Sequence, residues 1–399
     1  MSVLIKLILY LAGAIALLGV LVAPVPTKVG DRPTVATTTP AASVATTSPK
    51  TRVEKKPLPT TPAVAKPAPP KVAMVKAPTE TPVPVATTNY PASPAGRQLL
   101  ATSSLPTLSW NQINEETRAA LVNVICTTPR GGSFKPVSGS GVVIDPRGVI
   151  LTNAHVAQYF LLKDYLVQDF VECLIRTGAP AVNAYKARLL YLAPQWIEKN
   201  AEEITQEEAT GTGKDDFALL LVTESTRPNT PLPANLPFLS VDWGVETIKE
   251  ARSEGYALVA GYPAGFLGGI AIQRDLNPVS SVATLSSSIY SFSTTQTPDL
   301  LEVTGSPLAQ EGSSGGAVVG HNGELIGIIA TASVGKTTGE RVLHAITPSH
   351  IARSFKERNA FSIQEFFAES DLVHLAHDFN EKIAPALITL LSDALAPEK

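Results

Sequence analysis

Three short stretches carry side chains that together can move a proton and attack a carbonyl. His155 closes the run SGSGVVIDPRGVILTNAHVA, just past a β-rich segment ending at Thr152 and ahead of a short apolar helix. A histidine fixed at such a place titrates near neutrality and can serve as a general base. In Lys214-Asp215-Asp216-Phe217-Ala-Leu-Leu-Leu-Val222 a carboxylate, Asp215 or Asp216, opens an apolar strand, where burial beside an imidazole would hold it ionised. Glu311-Gly312-Ser313-Ser314-Gly315-Gly316-Ala317 is built of small residues. Such a stretch lets the backbone turn sharply, exposes one serine and aims amide N–H groups at a developing oxyanion. This chemistry needs neither a metal nor an organic cofactor.

The elements that must position these groups read as β-rich. A helical lead-in, NQINEETRAALV, runs into the apolar stretch Val122 to Cys126, after which short β segments alternate with turn signals. Gly141 to Ile144 joins Val149 to Leu151 across Asp145-Pro146-Arg147-Gly148, in which proline presets the first turn dihedral, aspartate caps and glycine closes. Gly316 to Val319 meets Glu324 to Ala330 across Asn322-Gly323, a strong hairpin signal. The loop-like stretch DWGVETIKEARSEG separates two β-regions, so two packed barrels are expected. No repeat at solenoid spacing is visible.

The rest of the chain is of different composition. Val3 to Ala23 is apolar except for Lys6, about the length of a spanning helix whose lysine can snorkel to the headgroups. A cleaved signal peptide is the alternative, although Leu21-Val22-Ala23-Pro24 is a poor cleavage site. Either reading exports the chain beyond Ala23. From Pro24 to Pro106 the sequence is Thr, Pro, Ala, Val and Lys with almost no aromatics, and should remain a disordered spacer. Its reach in polyproline II conformation is at most about 250 Å. The formal charge of −3 hides an asymmetry: this stem holds ten Lys/Arg against three Asp/Glu. Apart from Lys6, the remaining body holds 21 basic and 32 acidic residues, which is not the footprint of a nucleic-acid-binding domain. The 2 cysteines, Cys126 and Cys173, exclude a disulfide-stapled miniprotein and a multi-cysteine metal module. Both fall in expected strands of the first barrel and could oxidise together outside the cytoplasm; their pairing is left open.

His155 in TNAHV, Asp216 in DFALL and Ser314 in GSSGG, in that order, resemble the chymotrypsin-fold (trypsin-like) serine peptidases, and most closely the bacterial Deg/HtrA-type peptidase domains. Ala260 to Gly265 (AGYPAG) and His344 to Ser349 (HAITPS) are similar to that group's segments on either side of the serine. The resemblance covers about residues 120 to 355. It implies an all-β fold of two packed six-stranded Greek-key barrels with the site between them. It further implies that Ser314 attacks a peptide carbonyl, His155 takes and returns the proton, and Asp216 fixes the tautomer. The backbone N–H groups of Gly312 and Ser314 would hold the oxyanion. Asp216 is favoured over Asp215 because it directly precedes the aromatic-Ala-Leu-Leu strand, and Ser314 over Ser313 because it directly precedes Gly-Gly. Gly312-x-Ser314-x-Gly316 also fits the α/β-hydrolase nucleophile pattern, but that fold requires the order serine, acid, histidine.

The resemblance further implies a polypeptide substrate, with Ala330, Thr331 and Ala332 lining the primary pocket. Gly305 to Gln310, ahead of the nucleophile, lacks an aspartate, which argues against selection for Lys or Arg; the resemblance implies a small or medium aliphatic residue before the scissile bond. The acidic insertion Glu198 to Glu208 reads as a surface excursion, with a lid as the alternative. From Ile351 onward one or two amphipathic helices are expected, packed on the barrels in place of the peptide-binding PDZ module of many such peptidases. His374 and His377 lie three apart there, weak grounds for a metal site. The expected organisation is a transmembrane anchor or signal peptide (1–25), a disordered Pro/Thr/Ala/Lys-rich linker (26–108), a peptidase domain (109–355) and a helical C-terminal tail (356–399). The function class is an exported, membrane-tethered serine endopeptidase on the extracytoplasmic side of the cell membrane. The alternative is a catalytically idle barrel that binds partners.

Overall fold

The computed structural model describes residues 108–128, 136–206, 213–265, 267–288, 290–292, 297–332 and 341–396, those at 331 and 332 by backbone only. The expected anchor and linker lie outside them. Among the described residues no helix is long and apolar enough to cross a membrane.

Helix α1 (Trp110–Ala120) starts at a Ser109–Gln112 capping box and buries Ile113, Thr117 and Ala120. It leads into β1 (Leu121–Thr127), β2 (Val137–Asp145) and β3 (Val149–Thr152). The β2–β3 turn forms as its residues demand: Gly148 takes φ +91° and its N–H donates to Asp145 O at 2.9 Å. After the single-turn helix α2 (Ala154–Ala157) and a 3₁₀ turn come β4 (Glu172–Thr177) and β5 (Val182–Leu192). Helix α3 (Pro194–Asn200) and a 3₁₀ helix (Ala201–Thr205) then precede β6 (Ala218–Ser225). These six strands close in the order β1-β2-β3-β6-β5-β4, a Greek-key path.

The stretch expected as a loop between the barrels contains helix α4 (Glu246–Glu254). Its inner face buries Ile248 and Ala251, Lys249 pairs with Glu246, and Gly255 stops it in the left-handed conformation at φ +80°. The second barrel comprises β7 (Tyr256–Gly261), β8 (Val279–Leu285), β9 (Leu300–Thr304), β10 (Ala317–Val319), β11 (Leu325–Ala332) and β12 (Leu343–Ile346), with a short helix α5 (Gly269–Arg274) between β7 and β8. It closes as β10-β11-β12-β9-β8-β7. Val259, Val303, Val318 and Ile329 fill its core. Two closed six-stranded antiparallel barrels with C-terminal helices constitute a chymotrypsin-like fold.

The C-terminal region is more elaborate than one or two helices. Helix α6 (Pro348–Arg358) continues from β12, and α7 (Ile363–Phe367), α8 (Leu372–Lys382) and α9 (Ala384–Leu395) complete the tail. The short turns between them do not show as breaks in the apolar pattern. Helix α8 packs on β5, where Asn380 Nδ2 donates to Leu189 O, while α9 packs on α3 and on the 3₁₀ helix after it. Arg147 in the β2–β3 turn donates to Phe367 O and Glu369 O, a further tie between tail and first barrel. The described part of the acidic insertion, 198–206, thus packs against the tail on one side, with Ile204 buried there and Trp196 and Ile197 buried just ahead of it. His374 lies 3.9 Å from Asp378, and no group of three potential metal ligands occurs among the described residues.

Cys126 and Cys173 sit directly opposite each other on β1 and β4 with Cα atoms 4.0 Å apart, and they are joined as a disulfide. The bridge closes a 47-residue separation. Replacing both cysteines by serine is therefore expected to lower the unfolding free energy by about 2–4 kcal/mol. Denaturant titration of the two proteins checks it; equal midpoints would contradict a formed bridge.

Candidate active site

His155 lies in α2, directly after β3. Its main-chain N–H donates to Asp216 Oδ1 at 3.0 Å, and its Nδ1 lies 2.8 Å from Asp216 Oδ2. A carboxylate only accepts, so Nδ1 carries the proton and Nε2 presents its lone pair. The loop holding Asp216 is fixed in turn: Asn153 Nδ2 donates to Asp216 O at 2.9 Å, and the Asp216 N–H donates to Gly213 O. Asp216 is 4% exposed and His155 21%, so the imidazole is reached from one side.

Burial is the largest influence on His155 and would lower its pKa, but the Asp216 charge, the hydrogen bond to Asp216 and the Glu203 charge together outweigh it and raise the value. Glu203, on the 3₁₀ helix beneath α9, is pushed up by burial and by Asp216, with His155 opposing. Its Oε2 is buried without a hydrogen-bond partner among the described residues.

Ser314 belongs to the second barrel, in the loop before β10. The structure separates it from its neighbour: Ser313 is 1% exposed and its hydroxyl has no partner among the described residues, whereas Ser314 is partly exposed. Gly312 at φ +84° and Gly315 at φ +82° give the loop its shape. A Cβ on Gly315 would overlap Ser140 O and Thr152 Oγ1, and one on Gly312 would lie 2.6 Å from Tyr262 O. The N–H of Gly315 donates to Ile329 O and that of Gly316 to Ser313 O. Those of Gly312 and Ser314 have no protein acceptor among the described residues. The Ser314 hydroxyl likewise makes no hydrogen bond among the described residues. Contacts of this kind often tighten only when substrate binds.

What joins the two halves is a residue that sequence reasoning passed over. Ser140, fully buried on β2, donates its N–H to Ser314 O at 2.7 Å and its hydroxyl to Gly312 O at 2.7 Å. The hydroxyl accepts from the Tyr262 N–H at 2.8 Å, and the Ser140 carbonyl accepts from Thr152 Oγ1 at 2.7 Å. A serine between two glycines in SGSG was the available signal, since a small polar side chain in a buried strand must find partners. Glu203 carried no signal, because its place beside His155 depends on how the insertion folds.

Asp215, the rival acid, is 4% exposed and turns away from His155 toward α6, where Ser354 and Arg358 donate to it. Ala330 is buried on β11, immediately after the strand residue that anchors the nucleophile loop. A Cβ on Gly213 would lie 3.8 Å from that of Ala330, which brings the acid loop beside this strand. The side chains of Thr331 and Ala332 lie outside the described residues.

Residues 139–328 match the family described as the trypsin-like peptidase domain. Among solved structures, the chain is similar to an HtrA-type protease, AlgW, in complex with a tripeptide, at 18% identity and a TM-score of 0.39. The aligned part is 63% of this chain and 63% of that one. It is also similar to a serine endoprotease from Yersinia pestis, at 20% identity and a TM-score of 0.37, over 63% of this chain and 66% of that one. The chain thus spans somewhat under two thirds of either. No curated protein matches it. The two barrels themselves, rather than these distant likenesses, carry the fold.

Three outcomes are expected. Because His155 must be neutral to accept a proton and its pKa is raised, kcat/KM should fall on the acid side with a midpoint above about 6.5. Glu203→Gln should move that midpoint to lower pH, and an unmoved pH profile would show that Glu203 does not act on His155. Ser140→Ala leaves buried Gly312 O and Tyr262 N–H unpaired, at a cost of about 1–3 kcal/mol. Its unfolding midpoint should fall accordingly, and a change within error would contradict the network.

Proposed function

We propose that this chain, which carries a trypsin-like peptidase domain, is a serine endopeptidase using Ser314 as nucleophile, His155 as general base and acid, and Asp216 as the group that orients and charge-stabilises the imidazole. The observation that carries the reading is the two-point grip of Asp216 on His155, at 3.0 and 2.8 Å. It fixes the tautomer that leaves Nε2 free to take the Ser314 proton. Attack on a peptide carbonyl then gives a tetrahedral oxyanion received by the N–H groups of Gly312 and Ser314. Collapse to the acyl-enzyme releases the amine after His155 returns the proton, and water repeats the sequence to free the acid.

The polypeptide substrate meets a primary pocket that includes Ala330, with Thr331 and Ala332 beyond it, and a small or medium aliphatic residue before the scissile bond suits such walls. The chain acts outside the cytoplasm, held by its N-terminal apolar segment as a membrane anchor and displaced from the membrane by the Pro-rich linker. The Cys126–Cys173 bridge supports export, because disulfides persist in oxidising compartments. Its substrates are then unfolded or dedicated proteins of the cell envelope. The unbonded Ser314 hydroxyl favours one second reading, a barrel that binds peptides without cleaving them.

Labelling of the full chain with a fluorophosphonate separates the two. Wild type should label, Ser314→Ala should not, and Asp216→Asn should react about 10⁴-fold more slowly, as loss of the correct tautomer does elsewhere. A folded wild-type chain that fails to label supports the binding module.

A further inference from the structure

Asp215, the residue next to the catalytic acid, takes φ +60°, in the left-handed region that few residues other than glycine, asparagine and aspartate enter, and it is almost fully buried. The turn is tight: the Asp216 N–H donates to Gly213 O at 3.3 Å and the Phe217 N–H to Asp215 O at 2.9 Å. The Asp215 and Asp216 side chains serve different partners, Asp216 taking His155 and Asp215 taking α6. Ser354 donates its hydroxyl to Asp215 Oδ1 at 2.5 Å, and Arg358 donates to Oδ2 at 3.2 Å. Ser354 and Arg358 are four residues apart, so one face of one helix holds both oxygens.

The same helix grips the other barrel. Asp299, 1% exposed at the entrance to β9, is met by His350 Nδ1 at 3.3 Å and by the Arg353 guanidinium, while its Oδ2 accepts from the Phe292 N–H and the Ser291 hydroxyl. Two buried carboxylates, one from each barrel, are therefore bound within three turns of α6. A site divided between barrels, with His155 and Asp216 on one and Ser314 on the other, depends on that alignment.

We infer that α6 is a positioning element of the active site, its Ser354–Arg358 clamp on Asp215 setting the direction in which Asp216 presents its carboxylate to His155. This rests on the roles proposed for His155, Asp216 and Ser314. Helix α6 lies beyond residue 328, where the family match ends. Neither Ser354 nor Arg358 approaches the reacting atoms; both act through the Asp215 turn.

The test uses the full chain with Ser354→Ala/Arg358→Ala, with Ser354→Ala alone, with Arg358→Lys as the conservative replacement and with Lys356→Ala as a control on the same helix. Two quantities are read: kcat and KM on a peptide substrate, and the titration of the His155 ring by NMR. Asp216 and Glu203 are the ionisable groups acting on that ring. The double variant should lose about 10–100-fold in kcat with KM little changed, the scale of a small misplacement of catalytic groups. Its His155 midpoint should fall, Arg358→Lys should recover part of both effects, and Lys356→Ala should match wild type. A folded double variant with kcat within about twofold of wild type and an unmoved His155 titration overturns the inference. If the double variant does not fold, Ser354→Ala decides by the same readouts. If wild type shows no turnover, the peptidase reading fails, and the His155 titration alone still decides whether the clamp acts.

Discussion

The site depends on one buried serine at the seam between two barrels. Each polar group of Ser140 is engaged: its N–H donates to Ser314 and its hydroxyl to Gly312, while the hydroxyl oxygen accepts from Tyr262 and the carbonyl from Thr152. Three of these reach the second barrel and the fourth returns to β3, the strand that leads into His155. Hydrogen bonds are directional, so this set fixes the loop carrying the nucleophile as well as its distance from the first barrel. It also explains the glycines around it. Gly315 must lack a Cβ because the Ser140 carbonyl and the Thr152 hydroxyl occupy that space, and Gly312 must turn so that its carbonyl meets Ser140 and its N–H faces away.

Electrostatics in the first barrel then act on a geometry already set. Burial disfavours a charged imidazole, and without compensation His155 would be too weak a base. Asp216 overcomes this with a charge and a hydrogen bond at close range, and Glu203 adds a second negative charge. On the mechanism proposed, this balance favours the imidazolium formed when Ser314 gives up its proton, the state that needs stabilisation there. Glu203 is held by the 3₁₀ helix under α9, so the tail contributes to the field at the site as well as to the core.

Much of this was legible in the residues. The DPRG turn, the Asn322-Gly323 turn and the alternation of short apolar runs required hairpins, and Thr152 to His155, Asp216 and Ser314 stood in an order that resembled one family. The helix α4 was hidden because its buried face is only Ile248 and Ala251, too narrow a stripe against Glu, Lys and Arg. The four tail helices ran together as one apolar pattern, their breaks set by short caps such as Ser362 and Asp371. Ser140 left only the faint signal of a serine between glycines in SGSG, and Glu203 and the α6 clamp left none, since each matters through partners distant in the chain or through the way an insertion packs. The pairing of Cys126 with Cys173 needed the register of β1 on β4, which spacing alone does not supply.

If Ser314 is an activated nucleophile whose oxyanion falls to two specific amides, a crystal structure of the chain after reaction with a peptidyl phosphonate will show it. Phosphorus should be bonded to Ser314 Oγ, with a phosphonyl oxygen at about 2.7–3.1 Å from the N–H groups of both Gly312 and Ser314. His155 Nε2 should lie within hydrogen-bond reach of Ser314 Oγ. Phosphorus on another residue, or an adduct whose oxygen points away from those amides, would contradict it.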